Sequence, residues 1–239
     1  MFYVRLAELN IRIENRWDYV EAMCRDFIVP PCEPDFSVSA TDEDMALQRT
    51  QQTDLPLSVS DGEVEALCIY RAIGQHLPQY DAFIVHGAAL EKDGRGYVFL
   101  AKSGVGKSTH CFMWHWEYRG KVRMINGDKP IFRRIDGAWR VYGTPWCGKE
   151  HLFVNDSAPL SALCFLERGE VNEIRPASNR EITDRLFSQL LLPQDRLMLA
   201  RLITLLDSLL TQTPKYILRC TPDPEAARVA CEGMEKPKS

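Results

Sequence analysis

Residues 99–109 read FLAKSGVGKST, and the parsing of this stretch decides the fold. Its left half completes the apolar run GYVFLA at 96–101, which has the length and composition of a buried strand. Its right half opens the helical pattern STHCFMWHWEYRG, which ends near Gly120. Between them, Gly104 and Gly106 supply backbone that an anion can approach without meeting a Cβ. The triplet G-K-S is weak evidence by itself. A strand before it and a helix after it give it weight, because N–H groups at a helix N-terminus bind phosphate. The candidate cradle is therefore Ser103, Gly104, Val105, Gly106, Lys107, Ser108 and Thr109. Lys107 would reach the β- and γ-phosphates of ATP, and Ser108 would place its hydroxyl on Mg²⁺. Ala101 stands where such loops usually begin with glycine; at a strand end a small residue with negative φ suffices. A ligand-free turn is disfavoured, since a lysine at a helix N-terminus is electrostatically unfavourable without an anion.

Downstream, KVRMIN is the next strand, and Asp128 follows it. If that strand lies beside the loop strand, Asp128 emerges next to the phosphates and could hold Mg²⁺ or accept a proton; the alternative is a turn aspartate in NGDKP. IFRRI and WRVYG flank Asp136-Gly137, a strong hairpin signal. With no helix between these strands, a mixed, partly antiparallel sheet is expected around the loop rather than a doubly wound parallel one. The hairpin exits into GTPWCGKEH, where Lys149 and Glu150 could bring a second cation and a second metal carboxylate to the phosphate edge, or belong to a plain polar loop. His86, within DAFIVHGAAL, is either a satisfied core histidine or a catalytic one. That run and GYVFLA read as a hairpin across EKDGR, and Phe112, Trp114 and Trp116 of the loop helix are expected in the core.

Upstream, FYVRLAELNIRI alternates as a half-buried strand, FSVSA is strand-like among Pro30, Pro31, Pro34 and Pro56, and DGEVEALCIYRAIGQHL is a helix capped by Asp61. LSALCFLE is a buried strand. The C-terminal part is mainly helical, with EITDRLFSQLL and DRLMLARLITLLDSLL broken at Pro193, then the strand YILRC, the helix PEAARVACEGM and a frayed EKPKS. One α/β domain over 1–239 is expected, with residues 1–78 packed on a nucleotide-binding core at 79–239.

A net charge of −4 argues against a nucleic-acid partner, and no apolar run approaches the length of a membrane span. Eight cysteines stand singly with no C-x-x-C pair, which disfavours a zinc site or a disulfide framework and suits a cytoplasmic protein. The oligomeric state, a homo-oligomer included, stays open.

Taken together, His86-Gly87, then AKSGVGKST, then a strand leading to Asp128, resemble the catalytic domain of the HPr kinase/phosphorylase family. The resemblance covers about residues 80–170 and is absent from the first 60. It implies a fold similar to phosphoenolpyruvate carboxykinase, Lys107 and Ser108 on phosphate and Mg²⁺, Asp128 as catalytic carboxylate, His86 beside the site, and Glu150 as the downstream metal ligand. Two features depart from the family pattern. Gly127 stands where a first of two aspartates is usual, and PWCGKEH replaces an E-I-R-G-like signature. The activity implied is an ATP-dependent kinase acting on a serine or threonine of a small protein or peptide. A small hydroxylated metabolite is the alternative acceptor, which the loop around Trp146 would permit by closing the acceptor side. A nucleotide-binding regulatory module without transfer is the third reading, suggested by Gly127.

Overall fold

The computed structural model describes residues 1–51, 59–102 and 104–235; Pro56, Ser103 and the end of EKPKS at 236–239 fall outside the described residues. The chain starts with β1 (Phe2–Leu6) and β2 (Leu9–Glu14), so FYVRLAELNIRI is a hairpin and not one strand. The break comes at Ala7 and Glu8, both left-handed with φ of 48° and 64°, a turn that neither residue type advertises. Helix α1 (Asp18–Met23), β3 (Ile28–Val29), β4 (Phe36–Ser39) and α2 (Asp42–Gln51) follow, and the four strands form a sheet in the order β3-β1-β2-β4. Helix α3 (Asp61–His76) is capped by Ser60 and not Asp61: Ser60 and Glu63 exchange the reciprocal bonds of a capping box. The apolar residues Val64, Ile69 and Ile73 face the four-stranded sheet, and the same core reaches Ile84, Ile131 and Tyr142 of the larger sheet.

That larger sheet contains β5 (Ala82–Ile84), β6 (Ala88–Lys92), β7 (Arg95–Leu100), β8 (Val122–Asn126), β9 (Ile131–Ile135), β10 (Ala138–Tyr142) and β11 (Ser157–Arg168), in the order β5-β9-β10-β11-β7-β6-β8. Strands β6 and β7 form the hairpin across Asp93-Gly94, and Asp136-Gly137 turns β9 into β10 with φ of 49° and 81°. DAFIVHGAAL is not continuous: Val85-His86-Gly87 interrupts it, and β5 pairs with β9 while β6 pairs with β7 and β8. β8 therefore does not lie beside the loop strand β7; β6 stands between them because the hairpin claims that edge.

Helix α4 (Lys107–Tyr118) follows β7, and after β11 come β12 (Glu173–Pro176), α5 (Asn179–Phe187), α6 (Arg196–Gln212), β13 (Lys215–Cys220) and α7 (Pro224–Glu235). The C-terminal part thus returns a strand to the sheet, since β13 pairs in parallel with the second half of β11 and antiparallel with β12. Val98, Leu100, Leu163 and Phe165 point to the face covered by α5 and α6, while Tyr97, Phe99, Cys164 and Leu166 point to the face covered by α4 and α7. Both faces are buried, which explains why these strands read as unbroken apolar runs. The result is an α/β architecture with a mixed sheet. On α4, Trp114 is fully buried, but Trp116 and Phe112 are 74% and 47% exposed. They lie four residues apart on the outer face of the helix, so the expectation that all three pack inward holds for Trp114 alone. Among the described residues, no helix is long and apolar enough to cross a membrane.

Candidate functional site

The loop after β7 is held from both ends. Val105 N–H donates to Lys102 O at 3.2 Å and His110 N–H to Gly106 O at 2.9 Å, which starts α4. Gly104 and Gly106 have φ of +77° and +120°, conformations that only glycine takes without strain. Arg168, at the end of β11, donates to Gly104 O at 2.6 Å and anchors the outer side of the loop. Lys107 curls back so that Nζ lies 3.2 Å from Ala101 O. Burial lowers the pKa of this ammonium, the Lys129 charge lowers it further, and Asp128 opposes both. Lys107 is thus a half-buried cation at a helix N-terminus, while the second lysine near it, Lys129, is paired with Asp128 at 3.2 Å.

Opposite the loop, Asp128 is fixed by its backbone. Asn126, fully buried at the end of β8, accepts from Asp128 N at 2.8 Å and from Lys129 N at 2.7 Å. Its amide donates to Thr144 O at 2.9 Å, and Thr144 Oγ1 donates to Lys129 O at 2.8 Å. These bonds lock the segment carrying Asp128 to the loop between β10 and β11. The side chain of Asp128 takes His86 Nε2 on Oδ1 at 3.0 Å and Lys129 Nζ on Oδ2 at 3.2 Å. Burial alone would raise this carboxyl; the His86 hydrogen bond and the Lys129 charge outweigh it and hold its pKa below the usual carboxylate range. His86 has its place because the chain breaks between β5 and β6. With its amide turned so that donors meet acceptors, Gln189 offers N–H to His86 Nδ1 at 3.3 Å and Ala101 O at 3.2 Å. Nδ1 then accepts, and Nε2 carries the proton that faces Asp128.

His86, Gly104, Gly106, Lys107, Ser108 and Thr109 share one cleft of about 460 Å³ with Asp128, Gly148, Lys149 and Glu150. Val105 points to the other side of the loop, and Ser103 lies outside the described residues. Lys149 and Glu150 are exposed on the rim. A larger hollow of about 640 Å³ adjoins the loop on the Val105 side, but its Glu167 and Arg185 are paired with each other at 2.6 Å. The acid–base pair of His86 and Asp128 belongs to the smaller cleft. Among the described residues, no three His, Cys, Asp or Glu side chains gather as a metal cluster. His86 also lines the cleft, but its Nε2 is engaged by Asp128; the remaining donors there are the oxygens of Ser108, Thr109, Asp128 and Glu150. Cys111, in contrast, is buried, and its thiol is pushed up to about 12 by that burial. With the imidazole committed to Asp128, a set of free oxygens fits a small hard cation such as Mg²⁺.

The two departures from the family pattern meet in one contact. A Cβ on Gly127 would stand 2.7 Å from Cys147 O, and one on Gly143 only 1.8 Å from Val154 O. The loop carrying Pro145-Trp146-Cys147 lies flat against residue 127, leaving no room for an aspartate there. Gly148, with φ of +82°, then brings its backbone beside both carboxylates: a Cβ would be 3.1 Å from Asp128 Cβ and 3.4 Å from Glu150 Oε2. Sequence reasoning did not find Asn126, Arg168 or Gln189. Asn126, directly before Gly127-Asp128, carried a usable signal as an Asx-type turn former; the other two are distant in sequence and carried none.

No known protein-family profile matches the chain, and no curated protein matches it in sequence. Among solved structures, the chain is similar to the HPr(Ser) kinase/phosphatase from Coxiella burnetii, with 12% identity and a TM-score of 0.38 over 64% of this chain and 99% of that one. At that distance the likeness carries no assignment of activity.

Proposed function

We propose that the chain is a Mg·ATP-dependent phosphotransferase that moves the γ-phosphoryl group of ATP to a serine or threonine hydroxyl of a small protein or peptide. One observation carries this reading: Asp128, bonded to His86, lies across a single cleft from Lys107 and the two glycines at the start of α4. Backbone N–H groups of the loop and the Lys107 ammonium, which lies unfavourably at the positive end of α4, would bind the phosphates. Ser108 and Glu150, with Asp128 nearby, would hold magnesium, which supplies neutralisation of the phosphate charge. Asp128 is better suited to the proton, because its depressed pKa keeps it ionised and able to accept a hydrogen bond from the acceptor hydroxyl. The acceptor oxygen bonds to the γ-phosphorus as the bond to the β,γ-bridging oxygen breaks. ADP leaves with that electron pair, and the hydroxyl proton passes to Asp128. His86 donates to Oδ1, and Oδ2, which Lys129 Nζ meets at 3.2 Å, would be the accepting atom.

A second reading, transfer to a small hydroxylated metabolite, is favoured by the position of Trp146. Its Nε1 donates to Ala66 O at 3.0 Å, tying the loop to α3 and narrowing the acceptor side. In either case residues 1–78 would build the acceptor side of one domain whose nucleotide core is 79–239. The test uses γ-labelled ATP with Mg²⁺ and a cell extract split into macromolecular and small-molecule fractions, with Asp128→Asn beside the parent. Parent-dependent label in the macromolecular fraction supports the first reading, and label confined to small molecules other than free phosphate supports the second. Equal labelling by parent and variant in both fractions would sink both.

A further inference from the structure

Resting on the phosphotransferase reading, we infer that the groove between α1, α3 and the Trp146 loop is the acceptor subsite, and that it selects a peptide with an aromatic or aliphatic side chain next to the hydroxyl. The groove has a volume of about 330 Å³ and shares Asp128 and Gly148 with the phosphate-side cleft. An acceptor lying in it would therefore reach Asp128 from the side opposite the loop of residues 101–106. Its apolar walls are Met23 and Tyr19 of α1, Leu67 and Tyr70 of α3, and Trp146, with Glu63, Lys129 and His151 also lining it. The rings of Tyr70 and Trp146 are 5.7 Å apart and tilted, and the Tyr70 phenol is pushed up by burial and then by the charge of Asp128. Aromatic rings and a methionine make a surface that accepts flat or branched apolar side chains.

The outer wall is built into the fold. Glu65, fully buried, takes Arg16 N at 2.7 Å and Trp17 N at 3.1 Å, which fastens the chain entering α1 onto α3. The opening fits a residue-sized group. Tyr19 at its rim is 45% exposed, so among the described residues a chain can continue past it into solvent. An enclosed small-molecule site would seal that side. The N-terminal residues thus acquire a purpose that their sequence does not advertise, which is choosing the acceptor.

The test is an array of serine-centred synthetic peptides with each flanking position varied, labelled from Mg·ATP by the parent, by Leu67→Glu and by Met23→Lys. Circular dichroism establishes that each variant is folded, and two variants on facing walls guard against one failing to fold. The parent should prefer an aromatic or aliphatic flank over a polar one by about tenfold or more, the value of burying one apolar side chain. Either folded variant should lose that preference. Equal labelling whatever the flank, or a preference unchanged in both folded variants, overturns the inference and leaves the phosphotransferase reading standing. Labelling of small hydroxylated compounds but of no peptide overturns it in favour of a metabolite site. No acceptor-bound label from the parent overturns both.

Discussion

Asp128 divides two concavities that differ in their dominant lining. On one side, the cleft is lined by backbone, glycines and charged side chains, among them Lys107, Lys149 and Glu150. On the other, the groove is lined mainly by Tyr19, Met23, Leu67, Tyr70 and Trp146, with Glu63, Lys129 and His151 among them. A surface of N–H groups and cations suits an anion whose shape is constant, such as a phosphate chain. A surface of large side chains suits a partner whose identity must be selected, because discrimination between apolar groups depends on fit. The difference shows which half can be read from a motif and which half needs the tertiary structure.

The contrast can be broken at several points. Asp128→Asn, on the boundary, should lower transfer by on the order of 10³-fold while leaving nucleotide binding within a few fold; labelled-phosphate transfer and calorimetric titration with ATP measure the two. Lys107→Ala should act on the cleft alone, cutting transfer by about 10²- to 10³-fold and abolishing the ATP-induced rise in melting temperature. Gly127→Asp would place a second carboxylate beside Asp128, but its Cβ meets Cys147 O at 2.7 Å. It should cost roughly 1–3 kcal/mol and several degrees of melting temperature without raising activity. A gain in transfer would mean that the loop yields and that the two sides are less separate than they look.

The pH dependence sharpens the comparison further. The pKa of Asp128 is lowered in the fold, since His86 and Lys129 outweigh burial. Its stabilising contribution is therefore complete above the ordinary carboxylate pKa of about 4 and disappears as pH falls through the lowered value. Melting curves of Asp128→Asn should show a shallower loss of stability than the parent in that acid window. The smallest effect is expected from Trp146→Phe, which keeps an aromatic ring against Tyr70 but trims the indole and loses its bond to Ala66 O. It should cost about 0.5–1.5 kcal/mol and raise the acceptor KM a few-fold, with kcat nearly unchanged.

Legibility in the sequence follows the same division. The strand, the glycine turn and the helix around Lys107 are local, and Asp136-Gly137 forms its hairpin because both residues tolerate positive φ. Ala7-Glu8 forms a similar turn with residues that give no such sign; the pairing of Phe2, Val4 and Leu6 against Leu9, Ile11 and Ile13 imposes it. The break at His86 was hidden because both flanking segments are buried, and an apolar run looks the same whether it serves one strand or two. The cap of α3 was misplaced by one residue, since Ser60 and Asp61 are both good caps and only the Glu63 partner decides. In the site, Asp128 could be nominated from its strand. Tyr70 near it and Gln189 beside His86 could not, because the chain brings them there over long separations in sequence.

Strand β11 has a consequence for how the molecule comes apart. Its first residues pair with β10, and Leu163, Cys164 and Phe165 are bonded on both edges at once, to β7 and to β13. Neither the antiparallel part of the sheet nor the parallel part can melt without taking this strand from the other. Heating should therefore give a single cooperative transition. The amides of Leu163–Phe165 should be among the last to exchange with deuterated solvent, opening only when the whole molecule unfolds.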